Sequence, residues 1–80
     1  MADFIMPSLG ADMTSGILVS WLVEEGDQVK VGDIVAEVET AKGVFEIETF
    51  NAGIVRQLLV QPGDEEIAVG TVLATIGEKS

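Results

Sequence analysis

The most constraining feature of this 80-residue chain is an internal repeat. Residues 16–38, GILVSWLVEEGDQVKVGDIVAEV, align with residues 53–76, GIVRQLLVQPGDEEIAVGTVLATI. Six positions are identical at an offset of 37, and after one inserted residue three more are identical at an offset of 38. Matching of this density, with the glycines in register, indicates that the chain consists of two copies of one structural unit.

Glycines punctuate the two copies at the same places. In each copy a run rich in β-branched residues ends at a Gly-Asp turn, EEGD in the first and QPGD in the second, and a further glycine precedes the last run. Such pairs mark turns because glycine accepts a positive φ and aspartate hydrogen-bonds nearby backbone amides. We therefore expect turns and bulges at six glycines: Gly16, Gly26, Gly32, Gly53, Gly63 and Gly70.

Hydrophobic periodicity favours strands throughout the chain. No stretch offers ten residues of helical period without Gly, Pro or a β-branched run, so we predict no helix. Alternation predicts that Ile34, Ala36 and Val38 share one buried face. The run ILVSWLV is apolar on both faces, which predicts a bulge or two-sided burial there, with Trp21 in the core or at its edge.

Two copies of one β unit predict an all-β domain in which two similar antiparallel sheets pack face to face about a pseudo-twofold axis. This symmetry also places one side chain. The point that follows the first copy is Lys42, and the equivalent point after the second copy is the chain end near Lys79. We therefore expect Lys42 on a hairpin at the pole opposite the paired chain ends.

The composition excludes several classes of function. Fourteen acidic residues against four basic ones give a formal charge of −10, and such a surface repels phosphate backbones. The chain contains no His, Cys or Tyr, so the usual general bases and thiol nucleophiles are missing, as are disulfides and cysteine-ligated metals. We expect no nucleic-acid binding, no metal site and no autonomous enzymatic activity.

The sequence also lacks the marks of targeting and membrane segments. MADFIMPSLG has no basic region followed by a long apolar stretch, and no run approaches the roughly eighteen apolar residues of a membrane span. Acidity of this size favours a soluble monomer. We expect a monomeric cytoplasmic domain with no membrane partner.

Lys42 stands out against the acidic background. It lies in VETAKGVFE, residues 38–46, between two β-like runs. Two interpretations are open from the residues alone: a lysine that solubilises a turn, or an amine that serves as an attachment point. Lys30, in QVKVGD, lies beside a turn but away from the predicted pole, and we interpret it as a solubilising surface residue.

The chain resembles the lipoyl domains of the acyltransferase components of 2-oxo-acid dehydrogenase complexes, within the biotinyl/lipoyl-attachment family. The resemblance covers essentially the whole chain, through FIMPSLG, the glycine and tryptophan of GILVSW, EEGDQVKVGD, AEVETAKGVFEIE, NAGIV, PGD and VGTVLATIG. It implies a flattened barrel of two four-stranded antiparallel sheets for the carrier domain. We place this domain at residues 1–77 and the start of a polar linker at residues 78–80.

The resemblance also implies chemistry at the lysine turn. Lys42 takes the position of the lysine that carries lipoic acid in amide linkage, and Glu39 and Thr40 match the residues common before it. Ala41 stands where the family usually has Asp, and Gly43 where it usually has Ala or Val. Both replacements are small and compatible with a turn.

In the family, the connection before the first long strand lies near this turn and helps the decarboxylase choose its domain. The resemblance therefore implies recognition roles for Glu39 and for five residues of that connection: Ser8, Leu9, Gly10, Ala11 and Asp12.

By the same resemblance the domain is a carrier and not a catalyst. A lysine amine is protonated at neutral pH, so attachment requires an activated acyl donor supplied by a lipoate-attaching enzyme. The arm would be acylated at a thiamine-diphosphate-dependent decarboxylase and pass its acyl group to coenzyme A at an acyltransferase core. An FAD-dependent dihydrolipoyl dehydrogenase would then reoxidise it. Only lipoic acid would belong to this domain.

Two alternatives stay open. A biotin carrier domain of a carboxylase has a similar fold, but biotin carriers usually flank the lysine with methionines, whereas Ala41 and Gly43 flank it here. The other alternative is an unmodified β-sandwich interaction module whose acidic face docks a basic partner.

Overall fold

The fold of residues 2–78, the part of the chain that this computed structural model describes, consists of strands joined by turns and loops. The strands in chain order are β1 (Ala2–Ile5), β2 (Ser15–Trp21), β3 (Gln28–Val29), β4 (Ile34–Thr40), β5 (Gly43–Glu48), β6 (Gly53–Leu58), β7 (Glu66–Ala68) and β8 (Val72–Gly77). This part of the chain has no helix suited to cross a membrane. Of the predicted linker, residues 79 and 80 lie outside the described residues, as does the chain end near Lys79.

The eight strands form two four-stranded sheets, with the orders β1-β8-β6-β3 and β5-β4-β2-β7, and every pairing is antiparallel. The predicted all-β architecture of two four-stranded sheets is therefore confirmed. Each sheet draws two strands from each copy of the repeat. Exchanging the copies, so that β1–β4 take the places of β5–β8, converts one sheet order into the other.

The pseudo-twofold symmetry extends to individual hydrogen bonds. The amide of Met6 donates to the Thr71 carbonyl at 2.9 Å, and at the equivalent place Thr49 donates to the Asp33 carbonyl at 2.9 Å. Met6 and Thr49 are also both fully buried. Equivalent positions thus keep their backbone partners even where the side chains differ in chemistry.

The apolar run of β2 contains the irregularity that its two-sided hydrophobicity predicts. Its register with β4 shifts between Leu18 and Ser20, and the equivalent shift lies between Val55 and Gln57 in β6. The predicted shared face of β4 is only partly right. A further register shift separates Ile34 from Ala36, so Ala36 and Val38 are buried while Ile34 is 37% exposed.

A single apolar core fills the space between the two sheets. Its buried side chains come from both sheets and the turns beside them: Phe4, Met6, Leu18, Val29, Val35, Ala36, Val38, Ile47, Val55, Leu73, Ala74 and Ile76. Trp21 packs at the edge of this core, with its ring centroid 6.0 Å from that of Phe4. Each large side chain buried in this way contributes about 1.5–3 kcal/mol of transfer free energy.

Two of the six repeat glycines do something other than form turns. Gly16 and Gly53 begin equivalent strands, and each lies where the chain passes close to its neighbours. A Cβ atom on Gly16 would lie 2.9 Å from Val38 Cγ1 and 3.0 Å from Met13 Cε, whereas one on Gly53 would overlap the Gly77 carbonyl oxygen. The expectation of turns and bulges is therefore wrong at these two positions, where the glycines allow close packing.

Candidate functional site

A two-residue loop, Ala41 and Lys42, joins β4 to β5 and forms the tip of the hairpin. Thr40 and Gly43 are the last paired residues before it. Both loop residues have negative φ, since positive φ among the described residues is confined to glycines, and Gly43 has a φ of 132°. A type I′ turn, which suits the twist of a hairpin, needs positive φ at both loop residues. The turn is therefore of another type, and Gly43 supplies the positive φ at its end.

The hydroxyl of Thr40 ties this turn together. Its Oγ1 accepts a hydrogen bond from the backbone amide of Lys42 at 3.1 Å and donates one to the carbonyl of Gly43 at 3.3 Å. Threonine side chains commonly bond backbone groups two residues ahead in turns. The backbone on each side of the lysine is thus held by one side chain.

The Lys42 side chain is exposed and lies against the connection between β1 and β2. Its Nζ lies 3.9 Å from the position that a Cβ atom on Gly10 would occupy. That connection is held by its own hydrogen bonds, from the Met13 amide to the Gly10 carbonyl at 3.1 Å and from the Ser8 hydroxyl to the same carbonyl at 3.0 Å. The predicted proximity of this connection to the lysine turn is therefore present in the structure.

The lysine turn and this connection border a groove of about 440 Å³, called the lysine groove here. Its lining comes from four segments: Leu9, Gly10, Asp12, Met13 and Thr14 of the connection, Ser15, Gly16 and Ile17 of β2, Glu39, Thr40, Ala41, Lys42 and Phe45 of the hairpin, and Glu66 of β7. Lys42 is the single basic residue among these lining residues, beside three acidic ones. A neutral or cationic group would meet no repulsion there, whereas an anion would.

Seven of the ten residues assigned from the sequence to the lysine turn and the recognition loop line this groove: Leu9, Gly10, Asp12, Glu39, Thr40, Ala41 and Lys42. Three others, Ser8, Ala11 and Gly43, belong to the same two segments but do not line it. The structure therefore brings the lysine turn and the predicted recognition loop together. The roles assigned to these residues stay predictions.

Glu66 and Phe45 line the lysine groove, but the sequence did not predict them as part of the site. Glu66 reaches it because β7 pairs with the start of β2, opposite Ile17, and its carboxylate accepts a hydrogen bond from the Ser15 hydroxyl at 3.3 Å. This pairing joins segments about fifty residues apart and leaves no local signal. Phe45 is 39% exposed, although alternation along β5 places it on the same face as the buried Ile47.

The lysine turn lies at the end of the domain remote from the pairing of Ala2 with Ile76. Strand β1 begins at Ala2, which pairs with Ile76 near the end of β8, and the connection that follows β1 reaches Lys42. The domain is elongated, with extents of 39 × 22 × 17 Å. Among residues 2–78 there is no cluster of carboxylates or other ligands that could hold a metal ion. The feature that offers chemistry is an accessible amine at one pole.

Comparison with known proteins agrees with this geometry. A family model named Biotin_lipoyl, described as "Biotin-requiring enzyme", matches residues 2–76. The chain is 55% identical over 73 residues to the dihydrolipoyllysine-residue acetyltransferase component of the pyruvate dehydrogenase complex of Zymomonas mobilis. The match covers 91% of this chain and 17% of that protein.

A second relative has the same description and comes from Rhizobium meliloti. It is 42% identical over 74 residues, which cover 92% of this chain and 17% of the relative. The chain thus spans about a sixth of the length of these two relatives.

A solved structure has the same fold. The solution structure of the lipoyl domain of the 2-oxoglutarate dehydrogenase complex from Azotobacter vinelandii superposes with a TM-score of 0.77 at 22% identity, and the match covers 100% of both chains.

Proposed function

This chain belongs to the biotinyl/lipoyl-attachment family, and we propose that it is a covalent carrier domain whose Lys42 bears lipoic acid in amide linkage. One observation carries the proposal. Lys42 is an exposed lysine on a two-residue turn, at the end of the domain remote from the pairing of Ala2 with Ile76. A domain tethered through its ends would present this amine to other proteins.

The residues around Lys42 fit an acyl group on its amine. The side chain is exposed, so a modifying enzyme can reach Nζ. Leu9 and Phe45, which line the lysine groove beside it, are 41% and 39% exposed and offer apolar surface to an alkyl chain. Amide formation removes one positive charge and takes the formal charge from −10 to −11. Lipoic acid, once attached, supplies a cyclic disulfide that can carry acyl groups and reducing equivalents.

In this proposal the domain itself contributes by presenting the modified Lys42 to partner enzymes. The hairpin and the core hold the lysine turn in place, while a tether at the chain ends raises the local concentration of the arm at partner active sites. For a short flexible linker this effective concentration is roughly millimolar. No residue of the turn needs to act as an acid or a base, and the domain itself is not a catalyst in this proposal.

We further propose that the parent protein is a dihydrolipoyllysine acyltransferase of a 2-oxo-acid dehydrogenase complex. The names of the two relatives support this and favour a pyruvate dehydrogenase complex. The partners would be a lipoate-attaching enzyme, a thiamine-diphosphate-dependent decarboxylase, an acyltransferase core that uses coenzyme A, and an FAD-dependent dihydrolipoyl dehydrogenase. Glu39 and the connection of residues 8–12 would contribute to recognition by the decarboxylase, because Glu39 and three residues of the connection line the lysine groove together with Lys42.

Biotin attachment is the second candidate, because the matched family takes its description from biotin-requiring enzymes. The two candidates use the same amine and differ in the enzyme that recognises the turn. Ala41 and Gly43 on either side of Lys42 favour lipoate, since biotin carriers resembling this chain usually have methionines there.

The decisive experiment is mass spectrometry of the intact chain after incubation with a lipoate-attaching enzyme, and in parallel with a biotin ligase, each with its substrate and ATP. We expect one lipoyl adduct, which peptide mapping places on Lys42. Lys42→Arg should abolish it, whereas Lys30→Arg, which changes another exposed lysine, should not. A biotin adduct on Lys42 would select the second candidate, and absence of either adduct would favour the unmodified module.

A further inference from the structure

Thr40 makes contacts at the lysine turn that the fold does not need. Its hydroxyl accepts from the Lys42 amide and donates to the Gly43 carbonyl, and both bonds lie at the exposed surface. Water can satisfy exposed backbone groups at little cost, so these bonds contribute little to folding. Their effect is local: they restrict the backbone of the residue that carries the amine.

A second threonine provides an internal control. Like Thr40, Thr49 accepts from the amide two residues ahead, that of Asn51 at 3.1 Å, but it donates to the carbonyl of Asn51 itself at 3.0 Å and not to that of the following residue. Thr49 is fully buried, and its own amide bonds Asp33 across the fold. The hydroxyl of the buried Thr49 therefore contributes to stability, whereas the bonds of the Thr40 hydroxyl lie at the exposed surface and contribute little.

Among the residues at the turn, Thr40 is the one whose side chain can restrict the backbone of Lys42. Ala41 has no polar side chain, and the Lys42 side chain extends away to the connection at Gly10. Gly43 has a positive φ and no side chain, which leaves the end of the turn conformationally permissive. The Thr40 hydroxyl is thus the side-chain group that limits the directions in which Lys42 can point.

We propose that Thr40 is a positioning residue for the modification of Lys42. The inference rests on the proposed function and names the residue that fixes the lysine for the attachment enzyme. In the attachment step the Lys42 amine loses a proton and attacks the activated carbonyl of the acyl donor. A C–N bond forms, the bond to the leaving group breaks, and the leaving group departs with the electron pair. Thr40 takes no part in these bond changes; it holds the backbone so that the enzyme meets the amine in one orientation.

Loss of the hydroxyl should therefore weaken recognition of the turn. In Thr40→Val the lysine backbone is free, and the enzyme must order it on binding. The cost of ordering one residue corresponds to roughly a tenfold change in an equilibrium constant. We expect kcat/KM of the attachment enzyme to fall about tenfold, mainly through KM, with the transition temperature close to that of the wild type.

The test compares four chains: wild type, Thr40→Val, Thr40→Ser and Thr49→Val. Attachment rates are measured by intact mass at several domain concentrations, and stability by thermal unfolding. Thr40→Ser keeps a hydroxyl and should regain most of the wild-type rate. Thr49→Val should melt at a lower temperature yet be modified at nearly the wild-type rate while folded, because it leaves the lysine turn intact.

A readout without any enzyme is hydrogen exchange at the Lys42 backbone amide. We expect this amide to exchange more slowly in the wild type than in Thr40→Val, and Thr49→Val to leave it unchanged. Equal attachment rates for wild type and Thr40→Val would overturn the positioning role while leaving the proposed function intact. An equally slow Thr40→Ser, or a stability loss in Thr40→Val as large as in Thr49→Val, would also overturn it. A wild-type chain that never becomes modified at Lys42 would overturn both.

Discussion

The β4–β5 hairpin and the β8–β1 pair are the same structure in two places. Val38 pairs with Phe45 in the first, and Ile76 pairs with Ala2 in the second. Each pair contains a register shift at the equivalent position, near Ile34 in one and Ile5 in the other. The first pair is closed by the lysine turn, whereas the second ends at the two ends of the chain. A covalent connection is therefore dispensable for this pairing, and the lysine turn is free to serve another purpose.

The comparison extends to the glycines that begin β2 and β6. Gly16 lies beneath the lysine groove, where the ends of flexible methionine side chains and a valine methyl surround it. Gly53 lies beside Gly77, the last residue of β8, and the backbone of Gly77 leaves no room for a side chain on Gly53. Side chains can move more easily than paired backbone, so an added Cβ atom should be tolerated better at Gly16 than at Gly53. Gly53→Ala and Gly16→Ala test this difference, and Trp21→Phe and Lys42→Gln test two further contrasts between the copies.

Gly53→Ala should have the largest effect. A Cβ atom there would overlap the Gly77 carbonyl oxygen, and φ of 153° disfavours any side chain. We expect a loss of unfolding free energy on the order of 3 kcal/mol or more, measured by urea denaturation. Gly63→Ala is the matched control, because no atom lies within 4 Å of its added Cβ, and it should cost less than about 0.5 kcal/mol.

Gly16→Ala should cost less than its symmetry equivalent, about 1–2 kcal/mol in the same denaturation experiment. The nearest atoms are Val38 Cγ1 at 2.9 Å, Met13 Cε at 3.0 Å and Met6 Sδ at 3.3 Å. The two methionine groups can give way, while the valine methyl resists. A loss as large as that of Gly53→Ala would show that the two ends are equally rigid.

Trp21→Phe should cost about 1 kcal/mol. The indole Nε1 donates to the Val60 carbonyl at 2.9 Å, and phenylalanine loses this bond together with part of the apolar contact of the larger indole ring. The equivalent residue in the second copy is Leu58, which has no such donor. Leu58→Met, which preserves apolar packing, should therefore lower the denaturation midpoint less than Trp21→Phe does. A larger effect of Leu58→Met would contradict the assigned role of the indole.

Lys42→Gln should have the smallest effect on stability, within about 0.5 kcal/mol of the wild type by thermal unfolding. The side chain is exposed on a turn that the equivalent strand pair lacks altogether. Circular dichroism should show an unchanged spectrum. A large loss would mean that the lysine turn holds the fold together, and the contrast between the two strand pairs would fail.

The two-sheet architecture could be predicted from the sequence because the internal repeat implies two equivalent β units. Matching glycines and apolar runs in both copies imply symmetric sheets, and the two-sided apolar run around Trp21 implies a bulge. The exposure of Ile34 could not be predicted by alternation, since the register shift beside it turns the side chain outward. Alternating hydrophobicity predicts which residues are buried only in a regular strand. A bulge shifts this alternation by one residue, and no particular residue type marks its position.

The site could be predicted only in part. The position of Lys42 follows from symmetry, and its chemistry from the family resemblance. The participation of Glu66 depends on pairing between distant strands. The hydrogen bonds of Thr40 depend on the backbone angles of the turn. Each of these is a tertiary property that short-range patterns in the sequence do not encode.

The exchange of strands between the copies affects how the chain can be divided. Four of the six strand pairings join one copy to the other, and within the first copy only β2 and β4 are paired. A single copy would therefore leave most strand edges open, and two such copies would complete each other as an interlocked dimer. Cutting the chain at the lysine turn should give two fragments that are unfolded alone and assemble when mixed. The domain is in this sense a strand-exchanged dimer whose two halves are joined by one turn, and that turn carries Lys42.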